Sequence, residues 1–194
     1  MKIVSLDETI NRKLKNPKFK VAYEKERITL LLKQNEQGIK LDIGCGANKQ
    51  PGFVGLDYRK LPGVDIVQDV EKFPWPLPDQ CANLAVASHL VEHIDPHGGV
   101  FLRFMDEVWR ILKYGGQFMI ATPYAGSHGY FQDPTHCNPC NEATWAYFDP
   151  LEAGGILYGI YKPKPWKIDI NTWHVNGNME IVLSKRKEDP SYYE

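Results

Sequence analysis

Residues 39–59 constrain the fold more than any other part of the chain. A short buried-strand pattern over residues 40–43 runs into Gly44-Cys45-Gly46, and a second strand pattern over residues 53–56 ends on Asp57. An α/β fold builds a nucleoside site from this order of strand, glycine turn, strand and acid. The glycines let the backbone approach the ligand, and the acid accepts hydrogen bonds from ribose hydroxyls. The stretch therefore predicts a nucleoside site at the carboxyl ends of parallel strands.

The glycine turn differs from one that binds a dinucleotide. The G-x-G-x-x-G turn that receives a pyrophosphate ends on a glycine, whereas Lys49 stands at that position here. Asp42 precedes the turn by two residues, where a carboxylate would repel a phosphate but accept hydrogen bonds from an ammonium group or from the backbone. We therefore expect a ligand that is cationic or zwitterionic near the turn.

The connection between the two strand patterns is unusually short. Only residues 44–52 separate them, and Pro51-Gly52 interrupt the end of this segment. A crossover between parallel strands normally takes about a dozen residues or more and includes a helix. We expect either a first helix of about one turn or an irregular loop in its place.

Three segments together resemble the class I S-adenosylmethionine-dependent methyltransferases. Asp42-Ile43-Gly44-Cys45-Gly46 with Asp57 resembles motif I and the strand-two acid of this family. Residues 88–94, SHLVEHI, resemble the segment after strand four in its small-molecule branch, and residues 107–123 resemble its helix–Gly-Gly–strand unit. The apolar spacing over residues 100–113 predicts an amphipathic helix that ends at Tyr114-Gly115-Gly116. The resemblance implies a Rossmann-like, doubly wound, mostly parallel seven-stranded α/β sheet with a C-terminal antiparallel hairpin. Residues 166–175 and 179–184, joined at Asn176-Gly177, are the expected hairpin.

The resemblance also implies S-adenosyl-L-methionine as the cofactor. Asp57 would accept hydrogen bonds from the ribose, and Asp69 and Val70 would contact the adenine after the third strand, expected over residues 64–69. The alternative for Asp69 is that it caps the following loop. The carbonyl groups of Ser88 and Gly44 would accept hydrogen bonds from the methionine ammonium group. The complete set of implied cofactor residues is Asp42, Gly44, Cys45, Gly46, Asp57, Tyr58, Asp69, Val70, Ser88 and His89.

The domain organisation follows from the same comparison. We predict that residues 1–38 form an N-terminal helical lid on the same domain and that residues 39–185 form the methyltransferase domain. Residues 124–150 follow strand five and are rich in aromatic and histidine side chains, so we expect them to form the substrate cap. Residues 186–194 are a polar tail.

Histidine is the best match for a base that takes a proton from an acceptor near neutral pH. The candidates by position are His89, His128 and His136, and we rank His136 first, oriented by Asp133. For His89, we expect a place in the cofactor pocket at least as much as a role in proton transfer. The alternative is that His136 and Asp133 bind only the backbone of their own loop. We interpret His93 as structural, because it follows Glu92 directly and adjacent residues do not share a helix face.

The pair Cys137 and Cys140, with His136 and His128 nearby, is a weak zinc pattern, because a second cysteine pair is missing. We therefore predict no metal.

Composition narrows the function further. The 194 residues are 43% hydrophobic with a net charge of −1, which fits one domain and gives no field that would attract nucleic acid. The sequence has no apolar run that would span a membrane, and four cysteines are consistent with a reducing cytoplasm. We expect methyl transfer to an oxygen or nitrogen of a small molecule, such as a sugar or glycan precursor. The alternatives are a non-catalytic cofactor-binding or regulatory module and a nucleic-acid methyltransferase. The acceptor and the oligomeric state do not follow from the sequence.

Overall fold

The computed structural model describes residues 6–35, 37–157 and 159–193, and the chain divides into two compact units at residue 36. The first unit holds helices α1 (Leu6–Lys13) and α2 (Pro17–Gln34). Helix α2 begins where Asn16 accepts hydrogen bonds from the amides of Lys18 and Phe19, with Pro17 in the first turn. The prediction that residues 1–38 form a lid concerns the residues of this unit and, in part, residues outside the described ranges. It stays a prediction.

The second unit contains a seven-stranded sheet in the order β3-β2-β1-β4-β5-β7-β6. Its strands are β1 (Ile39–Ile43), β2 (Val54–Asp57), β3 (Ile66–Val67), β4 (Ala82–Ser88), β5 (Leu112–Pro123), β6 (Trp166–Trp173) and β7 (Asn178–Lys185). Strands β1 to β5 are parallel, whereas β7 pairs antiparallel with both β5 and β6. The predicted fold class, a mostly parallel Rossmann-like sheet closed by an antiparallel hairpin, is confirmed.

The core lies against the central strands. Leu41, Ile43 and Leu56 are fully buried, as expected where parallel strands are covered on both faces. Helix α3 (Val100–Ile111) carries its apolar residues three and four positions apart, and Phe104 and Val108 on this face are fully buried. Among the described residues, none of the helices is both long and apolar enough to cross a membrane.

The connection from β1 to β2, every residue of which is described, contains no helix. The expectation of an irregular loop is therefore correct. The Asp42 carboxylate accepts a hydrogen bond from the amide of Gln50 at 2.8 Å, and Lys49 forms an ion pair with Asp65 at 2.7 Å. These two contacts hold a loop that lacks the hydrogen bonds of a helix.

Two element boundaries differ from the predicted ones. Strand β3 is Ile66–Val67 only, because the side chain of Asp65 leaves the strand pattern to bond Lys49 and the amide of Gly55. The predicted helix end at Tyr114-Gly115-Gly116 is wrong: α3 ends at Ile111 and the chain enters β5 at once. Leu112 is fully buried and pairs with Ala82, so the strand starts before the glycines.

The segment between β5 and β6 contains the predicted cap (residues 124–150) and a short extension. The cap contains α4 (His128–Phe131) and α5 (Glu142–Ala146), and α6 (Ala153–Leu157) follows it. One-turn 3-10 helices lie at Val91–His93, His97–Gly99, Gly159–Tyr161 and Pro190–Tyr193. Arg186, the first residue of the predicted tail, is anchored by an ion pair at 3.2 Å to the buried Asp149.

Candidate functional site

A cavity of about 510 Å³ opens at the carboxyl ends of β1, β2 and β4, where parallel α/β sheets bind their ligands. Its size lies within the range of about 300–1,000 Å³ that is usual for small-molecule sites. The lining residues come from the turns that directly follow these strands, from the loop after β3 and from the cap. They are Gly44, Asp57, Tyr58, Arg59, Asp69, Val70, His89, Leu90, His93 and Thr135.

Gly44 forms the floor of the cavity where β1 ends. Its φ angle is +71°, a conformation that favours glycine. A Cβ atom at this position would lie 2.8 Å from Cδ1 of Leu90. The backbone angle therefore disfavours a side chain here, and Leu90 would have to shift to admit one, so bare backbone faces the cavity.

Asp57 ends β2 and is 3% exposed. Its Oδ2 accepts a hydrogen bond from the amide of Gly46 at 2.9 Å, and its Oδ1 accepts one from the amide of Arg59 at 2.8 Å. The Arg59 side chain adds two contacts, Nε to Oδ1 at 3.1 Å and an Nη atom to Oδ2 at 3.4 Å. A carboxylate has about four lone-pair positions, so Arg59 and the two amides occupy all of them.

The electrostatics of Asp57 favour its charged form. Burial by itself raises the pKa of this carboxyl, but the hydrogen bonds from Arg59 and from the amide of Gly46 outweigh burial and lower the pKa below its ordinary value. For Asp42 the balance is reversed, because burial raises its pKa by more than the hydrogen bond from Gln50 lowers it. Asp57 is therefore held in its ionised form, which can only accept hydrogen bonds.

Asp69 and Val70 line the cavity beyond the end of β3. The Asp69 carboxylate also accepts a hydrogen bond from the amide of Glu71 at 3.1 Å. This is the loop-capping contact that the alternative prediction for Asp69 requires. The Asp69 side chain is 39% exposed. Asp69 thus caps its loop and still faces the cavity.

His89 lies just after β4 with a φ angle of +52°, unusual for a residue that is not glycine. Its amide donates a hydrogen bond to the carbonyl oxygen of Ala121 at 2.8 Å, which fixes this conformation. Its side chain is 52% exposed, and its Nδ1 lies 3.2 Å from Oε1 of Glu92. His89 is therefore presented to the cavity by the turn and backed by a buried carboxylate.

Six of the ten residues that the resemblance implies for the cofactor thus line one cavity: Gly44, Asp57, Tyr58, Asp69, Val70 and His89. The other four do not line it. Asp42 and Gly46 brace the site, through the hydrogen bonds to Gln50 and Asp57 already described. Cys45 is buried, and burial raises the pKa of its thiol to about 11. Ser88 is exposed at the end of β4.

His136 and Asp133 lie in the cap and are only loosely paired. Nε2 of His136 is 3.9 Å from Oδ2 of Asp133, which is too far for a hydrogen bond. Nδ1 of His136 instead donates to the carbonyl oxygen of Tyr130 at 2.7 Å, and Asp133 accepts hydrogen bonds from the amide and hydroxyl of Thr135 at 2.8 and 2.7 Å. These contacts agree with the alternative in which both residues bind their own loop.

Sequence reasoning missed Arg59, Leu90, His93 and Thr135 as lining residues. Arg59 carried a usable signal, because a cation two residues after a strand-terminal acid can reach back to it. His93 was set aside as structural, yet it lines the cavity and donates or accepts a hydrogen bond with Thr135 at 3.1 Å. This contact joins distant parts of the sequence, so no local pattern predicts it.

No protein-family model matches the sequence, and the search of curated proteins gives no match either. Solved structures with a similar fold include a SAM dependent methyltransferase from Archaeoglobus fulgidus, 20% identical with a TM-score of 0.51, over 83% of this chain and 94% of that chain. The PH0226 protein from Pyrococcus horikoshii is 16% identical with a TM-score of 0.53, over 83% and 89%. The YcgJ protein from Bacillus subtilis is 16% identical with a TM-score of 0.52, over 84% and 99%. At these identities the comparisons establish the fold.

Proposed function

We propose that the protein is an S-adenosylmethionine-dependent methyltransferase that acts on an oxygen or nitrogen of a small molecule, such as a sugar or glycan precursor. The observation that carries the proposal is the cavity at the strand ends, where Gly44, Asp57 and His89 from three separate turns meet. The fold shared with the methyltransferase from Archaeoglobus fulgidus supports it. The near-neutral charge of the chain favours a small acceptor over nucleic acid.

The residues present fit this cofactor. The bare backbone at Gly44 lets a ligand approach the turn closely, and the ionised Asp57 suits ribose hydroxyls. S-adenosylmethionine, when bound, supplies a methyl group already activated on a sulfonium. The chain then has to orient that methyl group towards the acceptor and exclude water.

The ribose can reach Asp57 only when the Arg59 guanidinium leaves, because the acceptor positions of the carboxylate are already filled. The Arg59 side chain is 50% exposed, so it can move into solvent without being buried elsewhere. Cofactor binding therefore includes the exchange of one set of hydrogen bonds on Asp57 for another.

His89 is the base that we propose for an acceptor hydroxyl or amine. It lines the cavity, whereas the side chain of His136 is only 7% exposed and is held by the Tyr130 carbonyl group. The cap contributes Thr135 to the same wall, which supports an acceptor position between the cap and β4.

Calorimetric titration with S-adenosylhomocysteine tests the cofactor site. Asp57→Ala should weaken binding at least about 10-fold, because it removes charge-assisted hydrogen bonds worth about 1.5–3 kcal/mol each. Asp189→Ala, at an exposed carboxylate in the tail, is the matched control and should bind like wild type. Wild-type protein that binds no S-adenosylhomocysteine at millimolar concentration, or an Asp57→Ala variant that binds as tightly as wild type, would overturn the proposal.

Turnover is measured as release of S-adenosylhomocysteine from S-adenosylmethionine across a panel of hydroxyl and amine acceptors. His89→Gln should reduce the release while leaving cofactor affinity within about three-fold of wild type, because general base catalysis contributes about 10²–10⁴-fold to rate and little to ground-state binding. Cofactor binding without release from any acceptor would favour a non-catalytic cofactor-binding module instead.

A further inference from the structure

A second cluster of side chains lies beside the cavity, where the cap crosses the 3-10 turn Val91–His93. One carboxylate oxygen of Glu92 and one ring nitrogen each of His93 and His136 lie within 4.8 Å of one another. We propose that these three residues bind one divalent transition-metal ion of the zinc class.

Glu92 gives the first independent reason. Its side chain is fully buried, and its Oε1 has no hydrogen-bond partner among the described residues. Nδ1 of His89 lies 3.2 Å from this oxygen but is not aligned for a hydrogen bond. A buried carboxylate oxygen without a donor is costly unless a cation neutralises it. A bound metal ion would satisfy Oε1 directly.

The two histidines are prepared as ligands. Nδ1 of His136 lies 2.7 Å from the carbonyl oxygen of Tyr130, which can only accept, so Nδ1 carries the proton. Nδ1 of His93 lies 3.1 Å from the hydroxyl of Thr135, which donates its own proton to Asp133 at 2.7 Å. Thr135 is therefore the acceptor for His93 as well, and both rings keep the lone pair of Nε2 for a metal.

The carboxylate is also oriented from behind. Oε2 of Glu92 accepts a hydrogen bond from the buried hydroxyl of Thr122 at 3.0 Å. Each of the three residues thus has an outer partner that fixes its side chain, as metal ligands in proteins usually have.

The backbone holds the two halves of the cluster together. The amides of Cys137 and Asn138 donate hydrogen bonds to the carbonyl oxygen of Glu92 at 2.9 and 3.0 Å. The side-chain amide of Asn138 donates to the carbonyl oxygen of Val91 at 2.9 Å. The cap segment that carries His136 is therefore fastened to the turn that carries Glu92 and His93, so the ligands are together before any ion binds.

The donor set selects the class of metal. Two imidazoles and one carboxylate suit zinc and its first-row neighbours, whereas magnesium and calcium prefer oxygen ligands alone. Bonds of about 2.0–2.1 Å around a tetrahedral ion place ligand atoms about 3.3 Å apart, so the side chains would have to close by about 1.5 Å at most. Neither cysteine of the Cys137/Cys140 pair belongs to the cluster, and burial raises the pKa of the Cys140 thiol to about 12.

Three protein ligands leave a coordination position open. Because His93 also lines the cavity, we place the open position on the acceptor side of the cavity. There the ion would hold the acceptor oxygen and lower the pKa of its hydroxyl. This role, unlike the metal site itself, rests on the proposed methyl transfer.

The test is a titration of the metal-free, full-length protein with Zn²⁺ in competition with a chromophoric chelator. We expect one Zn²⁺ per chain. His136→Ala should weaken Zn²⁺ binding more than about 100-fold because it removes a ligand, and Thr135→Val about 10-fold because it removes only an outer hydrogen bond. His97→Ala, whose side chain is 87% exposed outside the cluster, is the matched control and should bind Zn²⁺ like wild type.

Co²⁺ supplies a spectroscopic check of the ligands. Nitrogen and oxygen ligation gives visible absorption bands without a thiolate-to-metal band in the near ultraviolet. A thiolate band would assign the ion to cysteine and overturn the site. Equal Zn²⁺ affinity in wild type and in folded His136→Ala would also overturn it. If His136→Ala does not fold, equal Zn²⁺ affinity in wild type and in Thr135→Val overturns the site.

Titration of the same metal-free protein with S-adenosylhomocysteine separates this site from the proposed function. Cofactor binding without Zn²⁺ binding overturns the metal site alone. Zn²⁺ binding with the expected loss in His136→Ala, but without cofactor binding, supports the metal site and overturns the proposed function.

Discussion

Arg59 should act as a competitor of the cofactor. Its guanidinium and two backbone amides fill the acceptor positions of Asp57. Arg59→Met keeps the length of the side chain and removes its donors, so the ribose hydroxyls would meet a carboxylate with two open positions. We therefore expect this variant to bind S-adenosylhomocysteine more tightly than wild type.

The size of the gain follows from the exposure of the pair. The Arg59 side chain is 50% exposed, whereas Asp57 is 3% exposed, so water competes for the guanidinium end only. Ion pairs with one end in water shift equilibria by a factor of about 5 at most. We expect the dissociation constant for S-adenosylhomocysteine to fall about two- to five-fold, and we expect the difference from wild type to shrink at high salt as the ion pair is screened.

Isothermal titration at low and high salt measures both effects. Lys60→Met removes the same charge from a neighbouring exposed position and is the control for the general electrostatic field. An Arg59→Met variant that binds S-adenosylhomocysteine more weakly than Lys60→Met would refute the reasoning, because Arg59 would then be a cofactor ligand.

Two further predictions concern other parts of the domain. Gly44→Ala should weaken S-adenosylhomocysteine binding more than about 10-fold and lower stability by about 1–2 kcal/mol, because of the φ angle of +71° and the contact with Leu90. Calorimetric titration measures the affinity and thermal unfolding measures the stability, and wild-type values for both would contradict this prediction. Burial lowers the pKa of Lys185 from 10.5 to about 8, so charged Lys185 costs stability below that pH and the cost disappears as the pH rises towards 10.5. The difference in melting temperature between wild type and Lys185→Met should therefore shift in favour of wild type as the pH rises from 7 towards 10.5; a difference that is independent of pH would contradict the argument.

The sheet could be predicted because its signals are local. The short strand pattern before Gly44 and the alternation before Asn176-Gly177 identify strands without knowledge of their partners. The start of β5 at Leu112 could not be predicted in this way, because it depends on pairing with Ala82, thirty positions earlier. The local signal of Gly115-Gly116 pointed to a later start.

The candidate site likewise has a part that the sequence predicts and a part that it does not. Gly44 and Asp57 follow strands directly, so sequence order was sufficient to place them at one edge of the sheet. The interpretation of His93 as structural considered only its neighbour Glu92. The structure brings both residues next to His136, because hydrogen bonds from the cap to the carbonyl oxygen of Glu92 join segments more than forty residues apart. Contacts of this kind depend on the path of an irregular segment, and no periodic pattern in the sequence predicts that path.

A crystal structure of the protein with S-adenosylhomocysteine tests the proposed cofactor site most directly. We expect both ribose hydroxyls to donate hydrogen bonds to the Asp57 carboxylate, the Arg59 guanidinium to have left it, and the sulfur atom to face His89. A cofactor bound elsewhere, or an Asp57 still held by Arg59 while the ribose lies in solvent, would contradict it.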